Sequence, residues 1–374
     1  MAKGLVGSVS RNNMVVLALL TAGFFIGARV GIRLALVQPF ATPIWFPAGG
    51  AIAAFIVFGY RIWPALLLGS FLGHVTALGF VSASFFVPIG AMLEGLTGAY
   101  LVNSFAGGSK AFETAKGVFW FAFATCVCAP SVNAIPLALD SFRDANFSHS
   151  AGLVLSWWLS HGIGALVVAP FFILLARSAD HHMTAQEAAE LLVLLAGLVF
   201  VCLLVFGPLS LTVNKSHIVR AWMCVPFLIW AAFRFCPLEA AGTTLILFGS
   251  AIWGTVHGYG LFVAKDFRIS LAVLDTFIGI IGTMTLVVAA MVVERRRSEV
   301  ELLSVQTLLR LQVEGKQREL AEKIEALDLE MAGHARTKRS LQHNQEQLRT
   351  LAARAKFGES GGQAERIISD ENPA

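Results

Sequence analysis

Ten stretches of about twenty apolar residues occupy positions 14 to 293, and a charged, helix-favouring segment of about 80 residues follows them. About twenty residues of helix cross the hydrocarbon core of a bilayer. The layout therefore predicts an all-α integral membrane protein: a polytopic bundle of about ten transmembrane helices that delivers one further helix to one side. Charged residues make up 14% of the 374 and hydrophobic residues 56%, whereas a soluble domain carries about a quarter charged residues. Most of the 28 Lys and Arg fall between the apolar stretches or after them, so the spans are nearly charge-free.

The expected spans are 14–36, 43–59, 62–80, 83–105, 114–139, 150–176, 187–207, 217–235, 238–257 and 270–293. The second is short and rich in Pro and Gly, and reads equally as a full span or a re-entrant piece. The first apolar run is too long for a cleaved leader and lacks a small-residue cleavage site, so it is expected to remain as an anchor. A β-barrel would instead show strands of about ten residues with alternating polarity.

Lys and Arg in short loops set the orientation. Lys3, Arg11, Arg61, Lys110, Lys116, Arg177, Arg234 and Arg295 to Arg297 fall on one side. Arg143, Lys215, Arg220, Lys265 and Arg268 fall on the other. The bias places both termini in the cytoplasm of a cell whose inner membrane holds the bundle. No basic stripe interleaved with exposed aromatics suggests nucleic-acid binding. Cys126, Cys128, Cys202, Cys224 and Cys236 all lie in or at the ends of apolar spans, where cysteine serves as a small apolar filler. No disulfide framework, metal set or cofactor is expected.

From Glu294 to about Lys356 the chain has no proline and two glycines, Gly315 and Gly333. Leu302, Val305 and Leu309 step by three and four, as do Leu320, Ile324, Leu327 and Met331, with Leu341 and Leu348 in the second frame. The frames are offset by one residue near Gly315, which locally under- or overwinds a coiled coil. His334, Lys338 and Gln345 fall in the seam, where polar residues weaken pairing. Two readings stand side by side: a dimerisation stalk and a dimeric helix whose packing changes. The resulting organisation is a membrane domain over 1–293, a cytoplasmic coiled-coil helix over 294–357 and a disordered tail over 358–374.

The segments IWFPAGGAIAAFIVFGYRIWPALLLGSFLGH (44–74), WWLSHGIGALVVAP (157–170) and PFLIWAAFRFCPLEAAGTTLILFGSAIWGTVHG (226–258) are followed by LVVAAMVVERRRSE at the end of the last span. In order and spacing they resemble the MASE family, the membrane-associated sensor domain of the first type. The resemblance covers about 280 residues. It implies an integral-membrane sensory module of bacterial signalling proteins, placed upstream of histidine kinases, diguanylate cyclases and cyclic-di-GMP phosphodiesterases. Many family members carry an acidic residue in a W-L-G-D-A-L-G segment where this chain has His161. The segment EQLRTLAARAKF resembles the linker before the dimerisation helix of one histidine-kinase class, but ERIISDE follows, without a phosphoacceptor histidine. No ATP-binding, GGDEF or EAL string is present. A sensor without its transmitter, a truncated kinase and a partner for a separate output protein are the three readings, and the chain is expected to have no enzymatic chemistry.

Ionisable groups inside spans are costly and therefore functional candidates. Glu94 lies near the centre of its span among Gly90, Gly95 and Gly98, a spacing that admits close helix approach. Arg29 and Arg33 share a helical face near the outer end of the first span. The expected ligand-binding set is Arg29, Arg33, Trp45, Glu94 and His161, with an Arg pair suited to a carboxylate or phosphate or to an anionic group on a membrane partner. The alternatives are snorkelling of the arginines and a structural hydrogen bond at Glu94. His74, His161 and His257 read as satisfied polar groups or, if two meet, as proton sensors. Asn103, Asn133, Asp140 and Asp275 complete the polar set, with Asp140 and Asp275 expected toward the outer face. Trp45, Trp63, Trp157, Trp158 and Trp222 fall near span ends, as an aromatic belt would. Pro47 and Pro64 bracket the second span, and its WFPAGG start is a candidate pocket wall. The competing class is a small-solute transporter, but only one broken helix and no inverted repeat are visible.

Overall fold

The computed structural model describes residues 9–35, 44–141, 147–178, 183–208, 221–265 and 267–369. Arg143, Lys215 and Arg220 lie outside the described residues, as do the side chains of Arg11, Asp140 and Arg268. The described residues are mostly helical, and the chain divides into two compact units, Met1–Arg297 and Ser298–Ala374.

In the first unit α1 is Val9–Ala35, α2 Phe46–Phe58, α3 Trp63–Leu78 and α4 Ala83–Leu101. Helix α5 (Ala115–Phe123) runs on into α6 (Ala129–Ser141) through a π-turn at Ala124–Cys128, and a second π-turn, Val102–Ala106, ends α4. Then come α7 (Phe147–Arg177), α8 (Ala185–Phe206), α9 (Val225–Arg234), α10 (Pro237–Val256) and α11 (Phe267–Ser369).

Among the described residues seven helical stretches are long and apolar enough to cross a membrane: Met14–Leu34, Tyr60–Leu78, Ala83–Ala106, Ala115–Ile135, Val154–Arg177, Ala185–Phe206 and one beginning at Ile269. Phe46–Phe58 and Trp222–Arg234 are apolar but shorter, and Pro237–Val256 is a helix of 20 residues. Ten spans is thus a finer count than length and composition support. The two π-turns were not visible as breaks in the apolar pattern; such one-turn insertions leave composition unchanged and often accompany functional sites.

Local chemistry explains the ends. Pro47 and Pro64 sit in the first turns of α2 and α3, where a missing N–H costs nothing. Gly59 and Gly79 follow those helices at φ near +80°, a conformation that favours glycine. Thr184 and Glu187 cap α8 reciprocally.

Helix α2 organises the unit. Its 13 residues span about 20 Å at 1.5 Å per residue, less than the roughly 30 Å of a hydrocarbon core. It is instead surrounded by protein: Ala48, Ala51, Ile52, Ala53, Ala54 and Phe55 are all buried. It packs on α7 and α4, while α1 packs on α3, α4 on α6, and α10 on α7 and α8. The membrane part of α11 joins the same core through Leu274, Ile278 and Ala290. Arg177 and Arg297 both meet Glu113, Arg234 meets Glu190, and Arg296 donates to the Phe233 carbonyl.

Residues 298–355 of the second unit are helical and exposed throughout. Gly315 and Gly333 leave the helix unbroken, because one exposed glycine costs only about 1 kcal/mol among strong helix formers. The segment expected to be disordered from residue 358 continues the helix to Ser369; residues 370–374 lie outside the described ones. The boundary between the units falls a few residues after the expected 293/294, because Glu294, Arg296 and Arg297 are still bonded to the bundle.

Candidate functional site

Three helices meet at one buried polar point. Glu94 of α4 is fully buried, and Asn133 of α6 and His161 of α7 nearly so. His161 Nδ1 lies 2.6 Å from Glu94 Oε2, and Asn133 Nδ2 donates to the same oxygen at 2.8 Å. With its proton on Nδ1, His161 donates to the carboxylate. Asn133 Nδ2, 3.2 Å from that nitrogen, is then held by the shared oxygen and not by the ring. A carboxylate away from water needs hydrogen-bond partners, and here residues from two other helices supply them.

Aromatic rings cover this point. Trp45 stacks on His161 with centroids 5.6 Å apart and planes 15° apart, and Trp157, one turn before His161, stacks on it at 4.9 Å and 23°. Trp45 and Trp157 lie 6.3 Å apart, so the three rings form a triangle. His74 of α3 approaches Trp45 at 6.1 Å and its Nδ1 bonds the Ser70 carbonyl at 2.8 Å. Within this group Trp45 Nε1, Glu94 Oε1, Trp157 Nε1 and His161 Nε2 are buried and have no hydrogen-bond partner among the described residues. Each such atom costs about 1–3 kcal/mol. Four of them around one carboxylate leave two indole donors, a carboxylate oxygen and an imidazole nitrogen with unspent bonding capacity.

The backbone of α2 and α7 sets this geometry. A Cβ on Gly49 would lie 2.5 Å from the Gly164 carbonyl, and one on Gly164 would lie 2.2 Å from the Trp45 carbonyl. Only glycine at both positions lets the helices touch. The contact also lets Trp45 N donate to the Ser160 carbonyl at 3.0 Å, which fixes the tryptophan beside the next residue, His161. On the far side, Gly90 leaves room for Asn133 Oδ1, which would meet a Cβ there at 2.2 Å.

Of the five expected ligand-binding residues, Trp45, Glu94 and His161 come together. Arg29 and Arg33 do not join them. Arg29 Nη1 donates to the Thr76 carbonyl at 2.6 Å, in the last turn of α3, where free carbonyls attract a cation. Arg33 is exposed, and neither arginine pairs with Glu94, whose partners are His161 and Asn133. Trp45, at 4% exposure, is a core residue and not a belt residue; Trp63 and Trp222 are exposed, as a belt requires. Asp275, expected within reach of the outer face, is buried at 2% exposure with Oδ1 unpartnered. Asn103 bonds the Tyr60 hydroxyl, and His257 bonds its own helix at Trp253. The WFPAGG segment does line a cavity, of about 440 Å³, through Phe46, Pro47 and Gly50, with Gly23 and Gly27 of α1 and Phe172 of α7 opposite. Its walls are apolar, and the polar cluster lies outside it. Asn133 and Trp157 stood outside the expected set: Asn133 read only as one of the polar residues of the spans, and the place of Trp157 at a span end suggested a belt, although its spacing of four from His161 put both on one helical face. Among the described residues no cluster of His, Cys, Asp and Glu is arranged to hold a metal.

Comparison with known families finds one model, MASE1, that matches residues 16–296. No curated protein and no solved structure gives a significant match.

Proposed function

The chain belongs to the MASE1 family, membrane-associated sensory domains of signalling proteins, and from that membership we propose how this member works. It sits in the inner membrane with both termini in the cytoplasm. It detects a small ligand or a membrane partner at the Glu94–Asn133–His161 cluster. It passes the signal through a parallel homodimer of the residue 298–355 helix to a fused or separate histidine kinase or cyclic-di-GMP output.

One observation carries the reading: a buried carboxylate–imidazole pair among four unpartnered polar atoms, under Trp45 and Trp157. A bundle needing only stability gains little from such a cluster, since apolar residues of similar volume do as well or better. Intramembrane ionisable groups mark functional sites by default. The connection onward is short. Ile163, two residues after His161, lies 3.2 Å from where a Cβ on Gly279 of α11 would stand, and Leu166 lies beside Gly282. A shift of α7 at His161 therefore meets the helix that leaves the membrane.

The test is the full chain fused to a diguanylate cyclase, with intracellular cyclic-di-GMP as the readout. Glu94→Gln keeps the shape and one hydrogen bond but removes the charge. His161→Ala removes the partner and both ring stacks. Both inserted variants are expected to give an output displaced from wild type. Wild-type output from both, across growth conditions that shift the parent protein, refutes the assignment.

A further inference from the structure

Helix α11 is gripped where it leaves the bundle, and the grip reaches the helix that carries His161. Glu113 closes the turn Gly108–Glu113 just before α5. Its Oε1 accepts from Arg177 Nη2 at 2.6 Å, and its Oε2 accepts from Arg297 Nη1 at 3.2 Å. Arg177 ends α7 and also donates to the Ser109 carbonyl at 2.6 Å. One carboxylate thus bridges the end of α7 to the last bundle residue of α11. Beside it, Ala115 N, in the first turn of α5, donates to Glu294 Oε2 at 3.4 Å. A carboxylate at a helix N-terminus is favoured by the unpaired amides there.

The opposite side of α11 is held as well. Arg296 Nη2 donates to the Phe233 carbonyl at 2.7 Å, in the last turn of α9, where carbonyls have no helical partner. That turn is itself fixed by Arg234, whose Nε lies 2.8 Å from Glu190 Oε2 of α8. At 3.6 residues per turn, Glu294 and Arg296 point about 160° apart around the helix. Contacts on both sides resist rotation of α11 about its axis, which a single contact would not do.

We propose that Glu113 is a positioning residue that sets the rotation of α11 against α7, so that a displacement of α7 is delivered to the signalling helix as a turn at residues 294–297. The inference rests on the reading of the Glu94–His161 cluster as the sensing site, since that cluster displaces α7. It assigns the transmitting contact to the pair of bridges Arg177–Glu113–Arg297. All three side chains are partly solvent-exposed, so their removal leaves the buried core intact.

The experiment uses the full chain in lipid nanodiscs, with the five cysteines replaced by alanine and spin labels at Leu175→Cys on α7 and Met291→Cys on α11. Both labelled positions are exposed. The parent is expected to give one narrow distance distribution. Glu113→Gln is expected to lose it to a broad or doubled distribution, and Arg177→Gln and Arg297→Gln, each of which breaks one bridge, should each do the same. A narrow, unmoved distance in Glu113→Gln overturns the proposal. A broad one in Arg297→Gln beside a narrow one in Arg177→Gln also overturns it, because the link to α7 is then absent. Glu94→Gln in the same labelled chain separates the two readings. If it moves the distance while Glu113→Gln does not, the sensing cluster stands and this clamp fails. If Glu113→Gln, Arg177→Gln and Arg297→Gln broaden the distance and Glu94→Gln leaves it unmoved, the clamp stands and the sensing assignment fails.

Discussion

Replacing Gly164 with alanine adds one methyl group at the tightest point between α2 and α7. The new carbon would sit 2.2 Å from the Trp45 carbonyl oxygen and 2.8 Å from its carbonyl carbon. These are backbone atoms, which no side-chain rotation can move aside, so the helices must part. Overpacking of this kind costs about 1–3 kcal/mol. The substitution also removes a helical glycine, worth about 1 kcal/mol in the opposite direction. Gly249→Ala isolates that second effect, because a Cβ there meets nothing within 4 Å. Propensity cancels between the two variants, and the difference between them is the overpacking cost alone, about 1–3 kcal/mol. The assay is thermal unfolding in detergent followed by a thiol-reactive dye, since Cys202 and Cys224 are buried and become reactive when the bundle opens. Gly249→Ala should melt at or above the parent and Gly164→Ala clearly below Gly249→Ala. Equal melting of the two variants would show that α2 and α7 do not touch through glycine, and the placement of Trp45 on His161 would lose its basis.

Two further outcomes follow from single positions. Cysteine at Ile324, in the seam of the second tail frame, should crosslink to its twin in membranes under mild oxidation, whereas Glu325→Cys, one residue off the seam, should not; equal yields would count against a parallel dimer. Asp275→Leu should melt no lower than the parent, because Asp275 is buried with an unpartnered oxygen and an apolar residue removes a penalty of about 1–3 kcal/mol. A large loss of stability would reveal a partner for that carboxyl.

The helices were legible because a bilayer imposes a length. Seven of the expected spans coincide with helices long and apolar enough to cross a membrane, whereas those at 43–59 and 217–235 hold only the shorter Phe46–Phe58 and Trp222–Arg234, the latter with 217–220 outside the described residues. What sits beside what was not legible. In lipid, helix contacts depend on shape and small residues more than on apolarity, and nearly every span here carries glycine and alanine. Gly49 and Gly164 are two among 34 glycines, and no local pattern says that these two face each other. The candidate site was half legible for the same reason. Cost singled out Glu94, since an ionisable group inside a span must have a use or a partner, and His161 stood out from His74 and His257 as the residue in place of an acidic one in the family-like segment. Their pairing joins residues 67 apart, and spacing on one helix cannot show it. Two cations on one face near a span end read as an anion site beside Glu94, whereas the structure sets Arg29 on the Thr76 carbonyl at the end of a neighbouring helix, apart from the Glu94–His161 pair.

The groups in the cluster also restrict what kind of cue fits it. An Arg pair would have favoured an anion. The groups present instead are a carboxylate, an imidazole and two indole N–H donors beneath aromatic faces. A bound anion would bring like charge up to the Glu94 carboxylate in a medium of low dielectric. The two indole N–H groups and the carboxylate oxygen Glu94 Oε1, each without a partner among the described residues, suit instead a ligand group that both accepts and donates hydrogen bonds.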